Sequence, residues 1–160
     1  SKNIPAKMRK EILSERLLAL LLKKTESIVE TVKVAAFMPA RDCEFLSAFA
    51  KAAADKTADA ASFSDIRAVL QSDLRPRLDF LYMLGDWETG KANSDFDLGK
   101  EIIFITKEIE REHYKELLLK IGHEINQCEA TSADTDGLTK EFQDISKKLN
   151  ILSKNQSDNK

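Results

Sequence analysis

Glycine, proline and cysteine are scarce in this chain: five, three and two among 160 residues, with one tryptophan and two histidines. Few windows alternate apolar and polar residues as a half-buried strand does, so a sheet-based fold is not expected. The two cysteines, Cys43 and Cys128, lack metal-ligand spacing, and two buried free thiols in a reducing cytoplasm are expected rather than a disulfide. No glycine-rich phosphate loop occurs and no serine lies in a nucleophile-elbow context, so catalysis by this chain is not expected. A formal net charge of −2 without a concentrated basic face argues against autonomous binding to DNA or RNA. The most apolar run, Leu17 to Leu22, is flanked by Arg16 and by Lys23 and Lys24. It is too short to span a bilayer and lacks a signal-peptide cleavage context, so no membrane association is expected.

What remains is material for helices. Hydrophobic residues make up 42% and charged residues 32% of the chain, which fits a helical protein with an ordinary core. Met8 to Lys24 predicts a first helix, with Met8, Ile12, Leu17, Leu18 and Leu21 on or near a common face. Thr25 is a candidate N-cap for a second helix carrying Ile28, Val29, Val32 and Ala36, which Pro39 ends. Asp42 can cap a third helix bearing Phe45, Leu46, Phe49 and Ala53, while Ala52 to Ala61 reads as either frayed helix or loop. Ser62 with Asp65 has the capping-box pattern and opens a short helix with Ile66, Val69 and Leu70. Pro76 suits the first turn of a fifth helix that Gly85 ends, followed by a polar loop from Trp87 to Asp95. Phe37, Phe45, Phe49, Phe63 and Phe80 are read as core, and Trp87 and Phe96 as packing back onto the bundle, with a binding platform as the alternative.

The last third is the most informative part. Asp97 caps a very long helix on which Leu98, Ile102, Ile105 and Ile109 step by four, three and four, keeping to one face. The stripe breaks across Glu110, Arg111, Glu112 and His113. It resumes in a new phase at Tyr114, Leu118, Ile121, Ile125 and Cys128. After a polar turn from Glu129 to Asp136, Leu138, Phe142, Ile145, Leu149 and Leu152 repeat the spacing. A pair of helices buries one seam, yet Leu117, Leu118 and Leu119 point in three directions around the helix. Such a hairpin has apolar surface left over for a partner.

The fold expected is therefore all-α: a bundle of about six helices over 8–112, then a C-terminal helical hairpin over 113–153, joined by one long shared helix, with 154–160 a disordered tail. The opening Ser1-Lys2-Asn3 without an initiator methionine leads us to expect a fragment of a longer protein. Glu110 and His113 match a Glu-x-x-His pattern of di-iron bundles, but that chemistry requires a second copy and further carboxylates. His123 has Lys120 three residues before it, so the copy is missing. A metal-binding helical bundle is thus the lesser alternative, a solvated helix face the simpler reading, and no metal or cofactor is expected. Pairing of two hairpins into a four-helix bundle is a second alternative.

Three segments together carry a likeness: Ser14 to Leu22, Ile105 to His113, and Leu138 to Leu149. In order and in the terminal hairpin, the chain from about Met8 to Leu152 resembles the C-terminal helicase-binding domain of bacterial DNA primase. The N-terminal domain of the replicative helicase is similarly helical, and the Ser14 to Leu22 start favours primase. The resemblance implies a non-catalytic module that binds the N-terminal domains of the hexameric replicative DNA helicase; by itself the chain is expected to be a monomer, with a dimer through the hairpin as the alternative. It would recruit primase to the fork in the bacterial cytoplasm and stimulate the helicase. Primer synthesis and zinc binding would belong to upstream parts of the full-length enzyme, a DNA-directed RNA polymerase. Carried onto this sequence, the docking surface falls on Asp144, Lys147, Lys148 and Ile151 of the last helix, then on Tyr114, Leu117 and Leu118. The hairpin's own seam is the competing role for Tyr114 and Leu118.

Overall fold

A computed structural model describes residues 6–55, 62–91 and 96–157, with side chains described for 9–55, 62–91 and 96–154. All regular elements among them are helical, and none is a strand. The α-helices are α1 (Ala6–Leu21), α2 (Ile28–Thr31), α3 (Ala40–Ala54), α4 (Phe63–Val69), α5 (Arg75–Gly90), α6 (Leu98–Ala130) and α7 (Asp136–Ser157). Among the described residues no helix is long and apolar enough to cross a membrane. The chain divides into two compact units, one ending at Ile109 and the other starting at Glu110. That boundary lies inside α6, which continues without interruption through Glu110 to His113.

In the first unit the core is organised around α1. Leu17, Leu18, Ala19, Leu20 and Leu21 are all fully buried, so this end of the helix is covered on every side rather than along one stripe. Ile12, expected on the same face, is more than half exposed. Helix α1 packs on α5 and α3, and Phe45, Phe49, Leu78, Leu81, Ile102, Ile105 and Ile109 close the core. The rings of Phe45 and Phe49 meet edge to face with centroids 6.4 Å apart. Arg16 ties α1 to α5 and α6, reaching Glu88 at 3.4 Å and Glu101 at 2.8 Å. Arg9 pairs with the nearly buried Glu108 at 2.9 Å.

The second helix departs most from expectation. Residues 25–37 form a 3-10 turn, a single α-turn and a second 3-10 segment, and Lys24 rather than Thr25 holds the N-cap position, with no side-chain capping bond. The buried positions are Thr25, Ser27, Ile28, Thr31 and Val34; Ser27 apart, they recur every three residues, which is the period at which side chains eclipse in a 3-10 helix. Val29, placed inside by an α-helical phase, is 78% exposed, and Val32 is also exposed. The buried Thr31 hydroxyl donates to the Ile28 carbonyl at 2.8 Å, which satisfies its polar group without a partner elsewhere.

Other helix ends follow local chemistry. Ser62 and Asp65 form the reciprocal capping box, with Ser62 N to Asp65 Oδ2 at 2.9 Å and Asp65 N to Ser62 Oγ at 3.2 Å. Asp97 caps α6 by accepting from Lys100 N at 3.1 Å. Asp42 does not cap α3; Pro39 holds that position, and Asp42 lies buried in the first turn. Helix α3 ends at Ala54, and 56–61 of the alanine-rich stretch lie outside the described residues.

Gly85 does not end α5, which runs on to Gly90. A glycine is needed at 85 because α1 crosses there. Phe80 is half exposed and Trp87 is 57% exposed, so neither joins the core. The Lys91 ammonium sits 3.1 Å from the Trp87 ring centre. Residues 92–95 of the expected loop lie outside the described residues. Cys43 and Cys128 are free and half-buried.

Candidate partner-docking surface

The second unit consists of the C-terminal part of α6 from Glu110, a short turn, and α7. The turn has a defined stop. Ser132 adopts φ 59°, Ala133 N donates to Cys128 O at 2.9 Å, and Ser132 N donates to Glu129 O at 3.2 Å. This is the Schellman arrangement, with serine in the left-handed position that glycine usually takes. Asp134 Oδ1 then accepts from Asp136 N at 3.0 Å, and Thr139 N donates to Thr135 O at 2.9 Å at the start of α7. Helix α7 continues to Ser157, into the segment read as tail, and 158–160 lie outside the described residues.

Contacts between the helices pair early residues with late ones. The Phe142 ring lies against Gly122, and the Lys148 ammonium lies 5.9 Å from the Tyr114 ring centre. Such pairing is that of two antiparallel neighbours. Ile121 and Ile145 are buried in the seam, and Tyr114, Leu118, Ile125, Leu138, Phe142, Leu149 and Leu152 are half-buried beside it. On α7 from 136 to 154, every residue with reduced exposure except Ser146 and Ser153 is one of the five expected apolar positions.

The seven residues expected to dock divide into two groups. Asp144, Lys147, Lys148 and Ile151 are exposed at positions i, i+3, i+4 and i+7 of α7, one strip turned away from Ile145. Ile151 is 59% exposed in that strip. Tyr114, Leu117 and Leu118 are half-buried on α6. The Tyr114 hydroxyl donates to Glu110 Oε1 at 3.3 Å. Burial, then the Glu110 charge and that hydrogen bond, raise the Tyr114 pKa above the usual phenol value. Tyr114 and Lys148 are thus brought together, while Leu117 and Ile151 belong to different helices.

A groove of about 600 Å3 lies between α6 and α7, lined by Leu118, Leu119, Gly122 and Ile125 with Thr139 and Phe142. Of the seven expected residues only Leu118 lines it. Leu119 is the most exposed large apolar residue of this unit, at 74%. Its signal was present in the three consecutive leucines, since 119 falls out of phase with the seam. Gly122 adds the hollow beside it. Among the described residues no three His, Cys, Asp or Glu side chains are grouped so as to hold a metal ion. Comparison with protein-family models, curated proteins and solved structures finds no match.

Proposed function

We propose that this chain is a protein-docking module of the kind found at the C-terminus of bacterial DNA primase. In this reading 8–112 form a helical bundle and 113–153 a terminal hairpin, with α6 shared between them. The hairpin binds the N-terminal domains of the hexameric replicative helicase, brings primase to the replication fork in the cytoplasm and stimulates the helicase. The module performs no chemistry; primer synthesis belongs to other domains of the full-length nucleotidyltransferase.

The observation that carries the reading is the composition of α7. One face supplies the seam, and the strip Asp144, Lys147, Lys148 and Ile151 is left exposed with mixed charge around an apolar residue. That is the make-up of an interface with a small apolar centre and a charged rim. Leu119 and its groove add apolar surface that the unit does not cover itself. Isothermal titration of the chain with the helicase N-terminal domains tests the reading directly. Saturable heat supports it, and its absence contradicts it. Sedimentation at two concentrations then distinguishes the self-association alternative, in which the sedimentation coefficient rises with concentration.

A further inference from the structure

Helix α5 buries only one of its faces in the first unit. Leu78, Leu81 and Gly85 are buried on the side that packs against α1. The opposite side carries Pro76, Phe80, Met83, Trp87 and Gly90, all of them exposed, and Met83 is 69% exposed. These positions step by four, three, four and three, the spacing of a coiled-coil seam, over roughly 21 Å of helix. Two aromatic rings and a methionine facing solvent in one strip are surface of the kind that a partner helix covers.

The charges beside the strip are sorted by sign. Arg77 and Lys91 lie along one flank with Leu84 between them, and Asp79 and Asp86 lie along the other; these are the e and g positions of the same repeat. Asp79 and Asp86 each meet a cation of the same chain, Arg67 and Lys23, yet keep 48% and 57% of their side chains in solvent. Arg77 reaches Glu15, and Lys91 lies over the Trp87 ring.

This sorting selects the partner and its direction. When two α5 strips pair in parallel, the acidic flank of each lies against the basic flank of the other. Asp86 then falls opposite Lys91 of the second copy, and the two-fold axis makes that pair twice. Antiparallel pairing sets Asp79 against Asp86 and Arg77 against Lys91, like charge against like. The strip is thus complementary to itself in one orientation alone. We infer that two copies of this chain associate through parallel pairing of α5, with Phe80, Met83 and Trp87 in the seam. The contact is separate from the α6–α7 pair and from the pairing of two hairpins.

Sedimentation velocity of the intact chain from micromolar to millimolar concentration tests the pairing. A four-turn contact belongs to the small, transient class, so the expected result is a monomer at the dilute end and a dimer at the concentrated end. Met83→Glu, at an exposed position that the core does not use, is expected to weaken the dimer at least about tenfold. Lys91→Glu is expected to weaken it about threefold, and adding Asp86→Lys to the same chain to restore it. Orientation is read from Gly90→Cys, where a new Cβ meets nothing within 4 Å. Under mild oxidation the parallel pair joins the two substituted positions by a disulfide, identified by peptide mass. A chain that stays monomeric throughout, a dimer untouched by Met83→Glu, or a dimer in which the Gly90→Cys positions do not join overturns the inference. Titration with the helicase domains reads the docking proposal separately, since none of these substitutions lies in α6 or α7.

Discussion

A Cβ placed on Gly85 would lie 2.5 Å from the Ala19 carbonyl oxygen. Backbone on α1 cannot yield as a flexible side-chain tip can, so α5 approaches α1 this closely only because residue 85 has no side chain. Gly85→Ala is predicted to destabilise the chain by about 1–3 kcal/mol, overpacking outweighing the helix propensity of alanine. Gly122→Ala is the matched control: its Cβ would meet Phe142 at an ordinary 3.9 Å, and the substitution is predicted to stabilise by up to about 1 kcal/mol. Urea denaturation of both variants checks the contrast; equal effects would refute the crossing.

Ser132 holds φ 59° at the end of α6. Left-handed backbone costs a residue with a Cβ roughly 1 kcal/mol more than glycine. Ser132→Gly is therefore predicted to stabilise the chain by about that amount, read as a higher denaturation midpoint. No gain would mean that the Schellman bonds do not hold this turn in solution.

Burial raises the pKa of Asp42 above its ordinary value, a shift that the charges of Arg77 and Arg41 oppose. The folded state therefore binds the proton more tightly than the unfolded state. The sign follows: this group's penalty is absent below its ordinary value of about 3.8, grows as pH rises from there to the folded pKa, and is full above it. Asp42→Asn is predicted to be more stable than the parent at neutral pH, with the advantage shrinking on acidification toward that value. Stability measured for both proteins across this range checks it; a constant or inverted difference would contradict the burial argument.

How much of this was legible follows from where each signal resides. Caps are local, so Ser62 with Asp65, and Asp97, were readable from four-residue patterns. The seam of the helix pair was readable because Leu138, Phe142, Ile145, Leu149 and Leu152 keep one period over several turns. The segment from Thr25 to Phe37 was misread because a spacing of three and an α-helical phase share Ile28 but diverge by Val34. Gly85 looks like a stop in sequence; its actual role depends on Ala19, sixty-six positions earlier in the numbering. The burial of Asp42 likewise depends on α1 and α5, which no local pattern reveals. Within the candidate surface, the exposed strip on α7 was readable from periodicity. The groove at Leu119 was not, because it requires Gly122 and Phe142 to face each other across two helices.

In the function proposed above, the α6–α7 pair docks onto the replicative helicase. The most direct measurement is calorimetric titration of the helicase N-terminal domains with the parent chain and with Ile151→Ala and the double variant Lys147→Glu with Lys148→Glu. All these positions are exposed, so the variants should keep the parental circular dichroism spectrum. The expected result is binding by the parent, a loss of about 2 kcal/mol for Ile151→Ala as an apolar anchor, and a salt-dependent loss for the charge reversal. Parental affinity retained by both variants, or no binding by the parent, would contradict it.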